Sequence, residues 1–363
     1  MRKMINKIGF FLKNIAREMY LFFKGLGSVF KNACQPSYYS EYPRKRFLTR
    51  VFNGLSWAFL RRCDNKFYTA YGFDIKNNFS NKKEYVDENK FWAQLKKDNK
   101  LNYFSQIPIL RDKYCFYSYL SSNRMPTPKV FAIKIGKHYF DADTFEMVDD
   151  SFFERKNEFF VKDINGECAS YVKHVKDYHD FQESKAFIDK NMINCIFQER
   201  LFQNKKMNEL YDGSINTLRI VTVNDSKGIR LLSSILRVGT KETGSVDNWA
   251  KGGYAVGIDE FGKLRKYGFK KPHFGLKNDR HQDTNFMFDG FEIPFFKEAC
   301  QICIKAHTLF YTLGSIGWDV AITENGPMII EGNDNFEISL LQVSNGGLKK
   351  QWDNHIRLRL SKK

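Results

Sequence analysis

Three oxygen-bearing side chains sit inside two short apolar runs near the end of the chain: Asp319 in "GWDVAI", and Glu331 and Asn333 in "MIIEGN". Glu331 and Asn333 are two apart, so on a strand they share a face, and a turn centred on Asn325 sets Asp319 opposite Glu331. Two carboxylates and an amide carbonyl crowded among Ile and Trp repel one another unless a hard cation neutralises them. Mg²⁺ accepts such a set together with substrate phosphates. The same pattern also fits the solvent-facing side of an edge hairpin. Upstream, Lys162 closes the apolar run "FFVKD" before a turn containing Gly166. An ammonium and backbone amides can meet a phosphate there. Lys113 sits at the start of an expected helix, a place that favours anions. Either lysine alone reads equally as a solvated charge. Arg219 and Arg237 fall on adjacent expected strands, where a guanidinium suits bidentate contact with phosphate or carboxylate, or a structural ion pair.

The elements that must position these groups are legible from periodicity. Runs at 159–164, 169–175, 193–201, 216–223, 229–239 and 253–259 are rich in β-branched and aromatic residues and are divided by Gly, Asn and Asp, as strands are. Residues 293–314 keep apolar residues at helical spacing between Pro294 and Gly314, which predicts a helix of about five turns. Strands 315–323 and 327–333 follow as a hairpin around "TENGP". Strands mixed with one long helix, without regular βαβ alternation, predict an α+β fold. Residues 36–107 read as aromatic, basic helices without chemistry of their own.

Composition narrows the class. The chain has 363 residues, 42% apolar and 16% aromatic, which suits a globular protein with subdomains and excludes a disordered one. The net charge of +17 favours anionic partners. No nucleic-acid signature accompanies it, and none is expected to bind. Seven scattered cysteines imply a reduced, cytoplasmic interior, with Cys300 and Cys303 as packing groups. Residues 1–31 carry a helical stripe from Ile5 to Leu26 with seven Lys/Arg against one Glu. That pattern fits a basic amphipathic helix on an anionic membrane surface, or one packed on its own domain.

From about residue 108 to 345 the sequence resembles the ATP-grasp enzymes, most closely their sugar-transfer-associated branch of polysaccharide biosynthesis loci. The likeness rests on "DKYCFYSYLSSNRMPTP", "FFVKD", "FQERLFQNKKMNELYDGSINTLRIVTV", "LRVGTKETGSVDNWAKGGYAVGID", "RHQDTNFMFDGFEIP" and "GWDVAITENGPMIIEGN". It implies an ATP-grasp fold, two α+β subdomains gripping ATP after a mostly helical N-terminal region. The expected division is 1–31 (amphipathic helix), 32–107 (helical), 108–158 (a segment before the grasp), 159–200 (lysine strand and hinge), 201–345 (metal-bearing subdomain) and 346–363 (basic tail). It implies ATP and Mg²⁺ as cofactors. Lys113 and Lys162 would contact the phosphates, Gln198, Glu199, Arg200 and Leu201 would form the adenine hinge, and Asp319, Glu331 and Asn333 would hold Mg²⁺. Arg219 and Arg237 are candidates to hold an acyl-phosphate. Asn216, Asp247, Asn248, Gly252, Gly253 and His281 are candidates for the substrate loops, His281 being either a proton carrier or a loop polar group. The branch's usual His-Pro appears here as His281-Gln282. The implied activity is carboxylate–amine ligation on small, sugar-linked substrates in surface-polysaccharide or capsule biosynthesis. Alternatives are a sugar-hydroxyl kinase of the same fold and a non-catalytic nucleotide-binding scaffold.

Overall fold

The computed structural model describes residues 27–61, 65–77, 79–101, 106–166 and 171–361. The expected amphipathic stripe, Ile5 to Leu26, lies outside the described residues, as do residues 167–170 of the turn after Lys162. Two antiparallel sheets carry the architecture. The first comprises β1 (Val130–Ile135), β2 (His138–Asp141), β3 (Met147–Val148), β4 (Phe159–Asp163), β5 (Val172–Val175) and β6 (Asn194–Glu199), in the order β3-β2-β1-β6-β4-β5. The second comprises β7 (Leu218–Asp225), β8 (Gly228–Val238), β9 (Tyr254–Ile258), β10 (Leu264–Phe269), β11 (Lys277–Asn278), β12 (Ser315–Thr323) and β13 (Gly326–Asn333). Its order is β11-β10-β9-β8-β7-β12-β13. The fold is α+β, as periodicity predicts.

The helices are α1 (residues 27–34), α2 (Phe47–Arg61), α3 (Glu88–Leu101), α4 (Ile107–Arg111), α5 (Lys113–Ser122), α6 (Tyr178–Asn191), α7 (Lys205–Leu210), α8 (Phe296–Leu309), α9 (Ile338–Asn345) and α10 (Lys349–Leu360). One face of the second sheet packs Leu236, Val256, Trp318 and Val320 against Ala299, Cys303 and Ala306 of α8. That burial pushes the Cys303 thiol well above its ordinary range. The opposite face packs Val221, Val223, Ile235 and Ala255 against aromatic residues of the N-terminal region and against α9 and α10. The first sheet closes on α6 through Phe153, Phe159, Phe181 and Phe197.

Two boundaries differ from expectation. The first sheet begins at Val130 rather than 159, because β1 pairs with β6, whose other edge carries the lysine strand β4. A segment expected to precede the grasp is therefore part of its sheet. Residues 349–360, expected as a basic tail, form a helix that buries Trp352, His355 and Ile356. Lys350 and Arg357 stay exposed while one apolar edge docks and Arg359 pairs inward with Asp98, so net charge concealed a core element.

The hairpin expected at 315–333 is present with one addition. The ladder leaves its turn as Thr323↔Gly326 and Val320↔Ile329, then shifts to Asp319↔Glu331. Ile330 is thus an extra residue on β13, a β-bulge. Side chains alternate, so a regular ladder from this turn would set Asp319 opposite Ile330 and send Glu331 to the other face. The bulge restores the pairing.

Candidate functional site

Asp319 lies on β12 next to Arg219 of β7, in direct register, and its carboxylate is buried. It accepts from Arg219 Nε at 2.6 Å and Nη2 at 3.2 Å, and from Arg237 Nη2 at 3.0 Å. Burial alone would raise the Asp319 carboxyl. The two guanidiniums outweigh it and hold the group below its ordinary value. Arg237 is fixed from its other side. Its Nη2 lies 3.1 Å from Asp247 Oδ1 and donates to Thr217 Oγ1 at 2.8 Å, while Asp247 Oδ2 accepts from Thr217 N–H at 2.8 Å. Buried Arg219 and partly buried Arg237 thus face two buried carboxylates. Charges removed from water persist only when paired in this way.

Glu331 is the unbalanced member. Burial and the neighbouring Asp319 push its carboxyl up, while Lys113, Lys162 and Arg219 pull it down. Asn333, two residues on, has a buried Nδ2 without a hydrogen-bond partner. No three His, Cys, Asp or Glu side chains among the described residues cluster at metal-binding distance, so the candidate set is two carboxylates and an amide.

The opposing cations come from the first sheet and from the start of α5. Lys162 sits on β4, and its Nζ donates to Gln198 Oε1 on β6 at 2.7 Å. Burial pulls Lys162 down to about 8, with Lys113 adding to the drop and Glu331 opposing it. Lys113 opens α5, whose N-cap Asp112 accepts from Cys115 N–H at 2.8 Å. Its Nζ donates to Gly166 O at 2.6 Å, the turn that follows Lys162. Arg111, two residues earlier at the end of α4, forms a bidentate pair with Asp334 at 2.8 and 2.9 Å. That pair ties the chain just before α5 to the end of β13, and Lys113 is near enough to Glu331 to pull its carboxyl down.

The residues expected to form the hinge, Gln198 to Leu201, end β6 and leave the first sheet. Gln198 is buried and holds Lys162, while Glu199 Oε1 accepts from Lys129 N–H at 2.8 Å. Arg200 pairs with Glu158, and Leu201 leads into the second sheet.

Other expected site residues have structural partners. Asn216 is fully buried and donates from Nδ2 to Met207 O and Tyr211 O at 3.0 and 2.7 Å. Asn248 caps a short helical turn by accepting from Ala250 N–H at 2.8 Å. Gly252 adopts φ +103°, and a Cβ on Gly253 would lie 2.9 Å from Val238 O, which accounts for the paired glycines through backbone shape. His281 is buried, with Nε2 donating to Gly239 O at 2.7 Å and Nδ1 accepting from the Asp283 and Thr284 amides at 3.3 Å. The two amide donors set this tautomer. Burial lowers its pKa further, so the ring is neutral and serves the loop.

Sequence reasoning missed Thr217, Arg111 and Asp334. Thr217 and Asp334 directly flank motif residues in "NTLR" and "EGND", the one signal available for them. The structure brings together Lys113, Lys162, Gln198, Arg219, Arg237, Asp247, Asp319 and Glu331. Asn216, Asn248 and His281 sit in the loops that support them.

A family model described as sugar-transfer associated ATP-grasp matches residues 93–356. No curated protein matches. Among solved structures, the chain resembles N5-carboxyaminoimidazole ribonucleotide synthetase from Thermotoga maritima (TM-score 0.40, 14% identity, 70% of this chain and 50% of that one). It also resembles the D-alanine-D-alanine ligase from Coxiella burnetii (TM-score 0.39, 12% identity, 70% of this chain and 58% of that one). A third is the L-amino acid ligase from Bacillus licheniformis (TM-score 0.40, 14% identity, 72% of this chain and 51% of that one). The chain thus spans little more than half the length of these proteins.

Proposed function

This chain belongs to the sugar-transfer-associated ATP-grasp family, and from that premise we propose that it is an ATP-dependent carboxylate–amine ligase acting on a sugar or sugar-linked group in surface-polysaccharide or capsule assembly. One observation carries the proposal: Glu331 on the second sheet lies in the field of Lys162 from the first sheet and of Lys113 at the start of α5, beside Asp319 and Arg219. Cations and carboxylates drawn together from separate elements suit a triphosphate with its metal ion, whose charges must both be met.

In this reading Lys113 and Lys162 bind the phosphates, and the backbone from Gln198 to Leu201 meets the base. Asp319, Glu331 and Asn333 would hold Mg²⁺. Their oxygens suit a hard cation, and the upward push on the Glu331 carboxyl from burial and from Asp319 is what such an ion relieves. When bound, the ion neutralises charge on the transferring phosphoryl group. The substrate carboxylate oxygen attacks the γ-phosphorus and ADP leaves. An amine then attacks the acyl carbon, phosphate leaves, and the nitrogen loses a proton to give an amide. In the same reading Arg219 and Arg237 hold the acyl-phosphate, an anion that must compete with Asp319 for them.

Incubation with ATP, Mg²⁺ and sugar-linked carboxylates and amines tests the proposal. A ligase releases ADP and phosphate in equal amounts only when both substrates are present. Phosphate retained on a hydroxyl acceptor would refute it in favour of a kinase. The work is placed in the cytoplasm, where ATP is supplied, and at the membrane's inner face through residues 1–31. No helix among the described residues is long and apolar enough to cross a membrane.

A further inference from the structure

Thr217 stands immediately before β7 and two residues from Arg219, so the two side chains share a face of the second sheet. Its carbonyl accepts from Arg237 N–H at 2.8 Å, which carries the β7–β8 ladder one position past Leu218↔Leu236 and sets Thr217 directly across from Arg237. Thr217 is buried. Its hydroxyl oxygen accepts from Arg237 Nε at 3.0 Å and Nη2 at 2.8 Å, and its one hydrogen goes to Asp247 Oδ2 at 2.5 Å. A hydroxyl offers one donor and two acceptor sites, so all three are in use. The β-branched side chain restricts χ1 and keeps that oxygen in place.

These contacts decide which part of Arg237 is free. Thr217, Asp247 and Asp319 all bind its Nε–Nη2 edge, and Nη1 has no hydrogen-bond partner among the described residues. Arg219 repeats the arrangement: Nε and Nη2 clasp Asp319, and Nη1 has no partner among the described residues. Two Nη1 groups are therefore left for a ligand, on side chains that keep 10% (Arg219) and 15% (Arg237) of their surface open. A guanidinium gains most from a carboxylate when it binds bidentately. Asp319 already holds Arg219 in that way. With no acceptor at Nε, Arg237 would gain by turning its fork onto Asp247, and Nη1 would turn with it.

Building on the acyl-phosphate role given to the two arginines, we propose that Thr217 is a positioning residue: its hydroxyl holds Arg237 by the Nε–Nη2 edge, so that Nη1 stays turned to the phosphoryl group that Arg219 and Arg237 share. Thr217 itself touches neither nucleotide nor substrate.

Inorganic phosphate is the probe, titrated by calorimetry into the full chain saturated with ADP and Mg²⁺, with ADP affinity and melting temperature measured alongside. Wild type binds phosphate. Thr217→Val keeps the shape and removes the hydroxyl, so phosphate affinity falls by roughly tenfold while ADP affinity holds, and Thr217→Ser restores phosphate binding. Wild-type phosphate affinity in Thr217→Val overturns the proposal. So does an equal loss of ADP and phosphate affinity, which a purely structural role would give. If the valine variant does not fold, Thr217→Cys against Thr217→Ser makes the same comparison, because the two side chains are close in size and sulfur is a weak acceptor. Equal phosphate affinity in that pair overturns the proposal. Arg237→Ala separates Thr217 from the role it serves. Phosphate lost in Arg237→Ala but kept in Thr217→Val leaves Arg237 its role and removes that of Thr217. Phosphate bound by Arg237→Ala as by wild type, or by neither, removes both.

Discussion

Lys162 offers the most direct test of the site, because its position imposes a pH dependence on nucleotide binding. Burial pulls its ammonium down to about 8 in the empty protein. A phosphate oxygen in contact favours the charged form, so the pKa in the bound state lies above that in the free state. A group of this kind contributes its full binding energy below the free-state pKa and loses it as pH rises through and beyond that value. With a free-state pKa of about 8, roughly nine-tenths of Lys162 is charged at about pH 7 and roughly one-tenth at about pH 9. ADP affinity, measured by calorimetry in a chelating buffer so that no metal contributes, should therefore weaken by about tenfold between these two pH values, or about 1.4 kcal/mol. Lys162→Arg keeps its charge throughout and should show a flat profile. An affinity that does not change between the two pH values, or an arginine variant with the same slope as wild type, would refute the placement of Lys162 against phosphate.

Other consequences follow from the same charges. Asp319→Asn takes from Arg219 its ion-pair partner and leaves Arg237 with Asp247, and unliganded stability by denaturant titration should fall by about 3–5 kcal/mol. Glu331→Gln should behave oppositely. Its carboxyl is pushed up in the folded protein, so the ionised form costs stability once pH exceeds the unfolded value. The variant should melt at or above wild type while losing ATP turnover, and a large drop in melting temperature would contradict this. His281→Asn should destabilise the loop by about 1–3 kcal/mol through lost hydrogen bonds. It should leave the shape of the pH–rate profile unchanged, since both ring nitrogens are engaged by backbone groups of the loop, and loss of a limb from that profile would reinstate His281 as a proton carrier.

Residue type and spacing were enough to locate the hairpin, its three oxygen donors, both lysines and the arginine strands. These depend on local periodicity, on the pairing rule of a hairpin and on a family resemblance carried by motifs. The helix 296–309 and strands such as Phe159–Asp163 were legible for the same reason: one apolar stripe, or one alternation, is visible within a dozen residues. β1 to β3 escaped because β1 is buried along nearly its whole length and β2 and β3 are short, so none shows an alternation of its own and each is specified by the neighbour it pairs with.

What the sequence determined by itself is which groups are present and which lie near one another along the chain. Tertiary structure decided their electrical state. The bulge at Ile330 turns Glu331 toward Asp319, a shift of one residue that no local pattern announces. Arg219 and Arg237 meet Asp319 across sequence separations of 100 and 82 residues, and that contact, not composition, makes one carboxylate firmly ionised and its neighbour reluctant. Coulomb energy in a poorly solvated site depends steeply on distance and burial, and both are set only when distant strands pack.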